Sequence, residues 1–278
     1  MTPPQEVSEA SASEPTPVPT PDQAAARSDL IADAAEIFDL DAALLEIDKA
    51  LGPDCDARSV RKVTVDVLKA ANERGRERIA AGLEARPKAA RETVLSYAYL
   101  TDGLVRSVLH VARTRLHPNP NPPEGERLAV LAVGGYGRGD MAPFSDVDLL
   151  FLTPWKITPW AESLIESMLY IFWDLHLKVG HSSRTIKDCI RLGKDDYTIR
   201  TALLEHRFLD GDAALAEELY DRLHSDLFRG TASEFVEAKL AERAQRHLKQ
   251  GGQRSMVEPN VKEGKGGLRD LQTLFWIG

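Results

Sequence analysis

The chain has 278 residues, 28% of them charged and 43% hydrophobic, with a formal net charge of -8. That composition is ordinary for a soluble chain of one large or two small domains, and the negative balance argues against a nucleic-acid-binding surface. There is no run of 18 apolar residues, no basic-then-apolar leader at the N-terminus, and only two widely separated cysteines, Cys55 and Cys189. A membrane span, a secretory signal, a disulfide framework and a zinc site are therefore not expected, and the expected location is the cytoplasm.

Residues 1–26 carry six prolines among Ser, Thr, Glu and Ala, a composition that buries too little apolar surface to order itself, and disorder is expected there. Helical apolar spacing comes next, over 24–51, 58–84 and 86–116. It gives an N-terminal helical region over 27–120 that reads as scaffold or as a support for the strands beyond it. The Pro- and Asn-rich stretch His117–Gly125 is a loop. Leu128–Val133 reads as a buried strand that runs into a glycine turn, and Val147–Leu152 as a second strand. A helix over Pro159–Leu175, a strand over 176–185, a short helix to Leu192 and a strand near Ala202–Leu209 complete a core over 121–211. The remainder, 212–278, reads as helices over 212–227 and 232–250, a glycine- and charge-rich loop over 251–267, and a last helix from Leu268 to Ile277.

The chemistry concentrates at Val133-Gly134-Gly135-Tyr136-Gly137-Arg138-Gly139-Asp140 and, a few residues on, at Ser145-Asp146-Val147-Asp148-Leu149-Leu150. Strand side chains alternate faces, so Asp146 and Asp148 point the same way. Two adjacent carboxylates repel unless a cation lies between them, and Mg²⁺ takes such oxygen ligands with a substrate phosphate completing its shell. Glycines allow backbone N–H groups close to an anion. The pattern suits metal-assisted nucleotidyl transfer. It is not the dinucleotide fingerprint, because Asp140 stands where a third glycine is needed, nor a P-loop, because the Gly264-Lys265 pair is followed by Gly266.

The Gly-Gly plus Asp-x-Asp arrangement resembles that of the polymerase-beta-like nucleotidyltransferases, and the string from Gly134 to Leu150 is similar to that of the bacterial PII uridylyltransferases. Lys178–Thr185, Leu204–Asp212 and Glu258–Asp270, with its Gly-Gly-Leu-Arg-Asp, resemble further segments of that family, in the same order. The resemblance implies an α+β fold with a mixed sheet flanked by helices. It implies transfer of UMP from UTP to a tyrosine of a PII signal protein, with release of pyrophosphate. Asp146 and Asp148 would hold two divalent ions, Mg²⁺ or alternatively Mn²⁺. Gly134 and Gly135 would face the triphosphate, Arg138 would pair with phosphate or with a neighbouring carboxylate, and Ser145 would bind phosphate or cap the turn. The superfamily takes a third carboxylate from a neighbouring strand. At that place strand 176–185 offers only Gly180 and His181, so Glu205, on the next strand, is the candidate. Lys262, Lys265 and Arg269 are candidates for contact with nucleotide or protein substrate. The family's metal-dependent phosphohydrolase and glutamine-sensing domains have no counterpart here, which leads to the expectation of an N-terminal portion able to transfer UMP and unable to remove it. The competing readings are adenylyl transfer to glutamine synthetase and a non-catalytic regulatory or binding module. No nucleic-acid or membrane partner is expected.

Overall fold

The computed structural model describes residues 29–52, 55–121, 123–251, 258 and 260–278. The expected disordered tail, 1–26, lies outside them. Four helices come first: α1 (Ala34–Ile37), α2 (Leu40–Ala50), α3 (Ala57–Ala85) and α4 (Ala90–Val111), the last continuing into a wider π turn over Ala112–Leu116. Aspartates start the first three: Asp33, Asp39 and Asp56 each accept a backbone N–H of the first turn, satisfying donors that a helix leaves orphaned. The single helix expected over 24–51 is thus two in its described part. Phe38 is extended between them, and its ring occupies the groove that Gly103 of α4 leaves by having no side chain.

The core sheet has the order β3-β2-β1-β4, from β1 (Ala129–Ala132), β2 (Val147–Thr153), β3 (Val179–Thr185) and β4 (Arg207–Gly211). β1 pairs antiparallel with both β2 and β4, whereas β2 and β3 are parallel. A single helical turn, α5 (Gly134–Gly137), stands between β1 and β2. The parallel pair needs a crossover, supplied by α6 (Pro159–Asp174), which has Thr158 as its cap and Pro159 in its first turn. The fold is therefore a mixed α+β sheet flanked by helices. Alternation divides the strands between two cores. Val130, Ala132, Val147, Leu149 and Phe151 join a cluster with α1–α4 and α6. Ala129, Leu131, Leu150 and Leu152 join a second cluster with α7 (Ile186–Asp195), α8 (Tyr197–Leu204) and α9 (Ala213–Leu223).

One element differs in kind from the sequence reading. The strand expected near Ala202–Leu209 is the end of α8 followed by β4, because Asp196 caps α8 by accepting from Thr198 and Ile199 N–H and so commits the β-branched run after it to a helix. Beyond α9, a π turn over His224–Phe228 leads to α10 (Ala232–Lys249), and α11 (Leu268–Ile277) closes the described chain. No helix among the described residues is long and apolar enough to cross a membrane.

Candidate active site

The carboxylates stand where β2 begins. Asp148 is the second residue of the strand, and Asp146 is exposed one residue before it. Antiparallel pairing brings the end of β1 beside them, with Val133 N–H donating to Asp148 carbonyl at 3.0 Å. There the chain makes the helical turn α5 in place of an irregular glycine turn. Gly134 has φ +59, a left-handed conformation that glycine adopts without steric cost. It lies directly against the carboxylate: a Cβ there would be 3.6 Å from Asp148 Oδ2. The Gly-Gly turn and the Asp-x-Asp pair, separated in sequence, thus meet at one place. Gly137 and Arg138 N–H donate back to Val133 and Gly134 carbonyls. The N–H groups of Gly134 and Gly135 belong to the opening of the turn, where no intrahelical acceptor exists.

The turn is clamped from two sides. Below it Arg207, the first residue of β4, donates Nε to Gly137 carbonyl (3.2 Å) and Nη2 to Tyr136 carbonyl (3.3 Å). The same guanidinium, itself buried, makes a two-toothed pair with the half-buried Asp102 of α4 at 2.7 and 3.0 Å and stacks on the buried Tyr136 ring. Above it, Glu205 backbone packs so closely on Gly137 that no side chain fits there. Neither Asp102 nor Arg207 is distinguishable in the sequence from an ordinary surface charge.

Arg138 leaves the end of the turn and pairs with two carboxylates, Asp140 (2.9 Å from Nε) and Glu205 (from Nη1). Its Nη2 lies on the Gly135 side, 3.7 Å from where a Cβ of that glycine would sit. Glu205 is not on a strand, as expected, but at the C-cap of α8. Its carboxylate also accepts the indole N–H of Trp276 in α11. Among the described residues no third His, Cys, Asp or Glu gathers with Asp146 and Asp148. The Glu205 carboxylate is paired with Arg138 and Trp276, and the described residues do not gather it with the two aspartates as the expected third carboxylate. Ser145 accepts Ala142 N–H at 2.9 Å and so caps the loop before β2, keeping its own proton to donate.

Asp148 has its pKa raised, first by burial and second by the negative charge of Asp146, against the pull of Lys262. Two oxygen-donor carboxylates under mutual repulsion fit a hard divalent cation. Two is also a number that Mg²⁺ accepts when water and substrate phosphate complete its octahedron. The effect of Lys262 on Asp148 places the loop before α11 near the site. That loop is braced internally: Asn260 Oδ1 accepts the N–H groups of Lys262 and Glu263, while Asp270 accepts Gly266 N–H and pairs with Arg246 and His247 of α10. Arg269 lies over the Trp276 ring and beside Glu263. His181 is excluded from the site. It pairs in register with Leu149, so it lies on the sheet face opposite Asp148, edge-on to Phe151.

Comparison with known proteins bears on the family of the chain. A family model described as "Nucleotidyltransferase domain" matches residues 123–208, and one described as "GlnD PII-uridylyltransferase" matches 234–278. Among curated relatives, a "Bifunctional uridylyltransferase/uridylyl-removing enzyme" of Cereibacter sphaeroides is 63% identical over 90% of this chain and 27% of its own length. Proteins with the same description from Ruegeria pomeroyi (61%, over 87% and 26%) and Azospirillum brasilense (52%, over 78% and 23%) are also similar. The chain spans about a quarter of the length of the curated relatives it matches.

Proposed function

We propose that this chain, which belongs to the nucleotidyltransferases and is similar to one part of the bifunctional uridylyltransferase/uridylyl-removing enzymes, transfers UMP from UTP to a tyrosine hydroxyl of a PII signal protein. The observation that carries the reading is the contact of the Gly134 turn with the Asp148 carboxylate, in a chain so similar to those relatives. The tyrosine oxygen forms a bond to the α-phosphorus, the bond from that phosphorus to the β-phosphate bridge breaks, and pyrophosphate and the hydroxyl proton leave. Asp146 and Asp148 would hold Mg²⁺, two ions in this reading and Mn²⁺ as a substitute. Bound there, the metal supplies charge neutralisation on the phosphates and a lowered pKa for the attacking hydroxyl.

The rest is the work of the chain's own groups. Gly134 and Gly135 present N–H groups to the triphosphate, as preorganised donors. Arg138 offers Nη2 to a phosphate while Asp140 and Glu205 fix the rest of its fork. Glu205 acts through Arg138 as a positioning residue. Ser145 donates its hydroxyl proton toward the phosphates while it caps its loop. Lys262 adds positive charge at the carboxylate pair. The reaction would run in the cytoplasm, where nucleoside triphosphates are available.

Purified protein, a PII acceptor, Mg²⁺ and α-labelled UTP or ATP test this directly. Label on PII from UTP and not from ATP is the expected result. Label from ATP moves the assignment to adenylyl transfer, and label from neither overturns the enzyme reading in favour of a binding module.

A further inference from the structure

β3 contains a glycine with no backbone reason to be there. Gly180 is the second residue of the strand, where glycine weakens pairing and usually marks a close approach by another group. It is absent from the residues of positive φ, so any residue could adopt its backbone conformation. Its surface is exposed, so no packed core excludes a side chain.

What does exclude one is a single group. Gly180 pairs in parallel register with Asp148. A Cβ built on Gly180 would fall inside the van der Waals envelope of Asp148 Oδ1, with Cγ at 3.6 Å, and would meet no other atom beyond its chain neighbours. The other oxygen of that carboxylate faces Gly134, 3.6 Å from where a Cβ on that residue would sit. The Asp148 carboxylate therefore lies between two glycines from two different strand ends, one beside each oxygen.

We infer that Gly180 is a positioning residue: the space left by its missing side chain sets the orientation of the Asp148 carboxylate and, through it, the cation geometry of the site. The inference rests on the metal-binding reading of Asp146 and Asp148. With a methyl group at position 180 the carboxylate rotates off its present orientation, since the backbone has no cause to move. The strand itself gains, because alanine loses less chain entropy on folding than glycine. Stability and metal binding should therefore move in opposite directions, which a purely structural glycine would not produce.

The test uses Mn²⁺ alone as the probe, with its affinity read by electron paramagnetic resonance, beside thermal melts in chelator and UMP transfer with Mg²⁺. Gly180→Ala should melt at or above the wild-type temperature, bind Mn²⁺ at least 10-fold more weakly, and lose transfer chiefly in kcat. His181→Ala, one residue on and facing the other side of the sheet, should keep Mn²⁺ affinity within 2-fold. Gly180→Ala with wild-type Mn²⁺ affinity overturns the inference and leaves the transfer reading standing, as does a loss of folding in that variant. Equal weakening by His181→Ala overturns it too. If Asp148→Asn binds Mn²⁺ as the wild type does, the metal reading and the inference fall together.

Discussion

At Asp148 a single carboxyl group links chemistry to stability. Burial, and then the charge of Asp146, raise its pKa above the ordinary 3.8. Ionising it thus costs the metal-free folded state free energy. A raised folded pKa contributes stability that is fully present below the unfolded value and is lost as pH rises through the folded one. Asp148→Asn should therefore melt higher than the wild type in chelator near pH 7, with the difference vanishing below about pH 3.8. Melts across pH measure this, and an Asn variant less stable at neutral pH would show that the ionised carboxylate is satisfied without a cation. For catalysis the sign reverses. Asp146→Asn should keep the fold by circular dichroism and lose about 10³-fold or more in transfer, several kcal/mol of transition-state stabilisation. These two residues were legible because strand alternation fixes their common side. Glu205 was not: its partners Arg138 and Trp276 are 67 and 71 residues away, and no local pattern records such a pairing.

At the scale of elements, the glycine turn after β1 depends on a helix far from it in sequence. Arg207 on β4 joins Asp102 on α4 to the Tyr136 and Gly137 carbonyls, so α4 and β4 fix the angle at which α5 leaves β1. Removing one partner leaves the other charge buried and unpaired, which costs about 3–5 kcal/mol. Asp102→Ala should lower the urea unfolding free energy by about that amount and raise KM for UTP, because a loosened turn offers its N–H groups less well. An unchanged KM would separate the ion pair from nucleotide binding. The strands around the glycine turn were readable from their apolar runs. The stretch near Ala202 was not, because short apolar runs with β-branched residues suit strand and helix alike. The cap at Asp196 decides the matter.

For the whole molecule, the N-terminal helices and the sheet share one apolar cluster, from Leu30 to Leu209. The expected region 27–120 is helical wherever it forms regular structure among the described residues. Sequence periodicity showed the helices but not that their buried faces and the Asp148-bearing strand would fill the same core. A chain shortened to 121–278 should lose cooperative unfolding, because Val130, Val147, Leu149 and Phe151 belong to a buried cluster that the N-terminal helices help to fill. A sharp thermal transition in that shortened chain would show the core to be independent. The α10–α11 pair is tied to the same centre through Trp276 and Glu205, which makes the site a meeting of the sheet, α8 and α11. The most direct measurement is transfer from UTP labelled on the α- or the γ-phosphate, by the wild type and by Asp148→Asn. Metal-assisted UMP transfer at Asp148 should put α-label on the PII protein, leave γ-label only in released pyrophosphate, and give neither with the variant. Label reaching PII from the γ-position, or α-label transferred equally by Asp148→Asn, would contradict it.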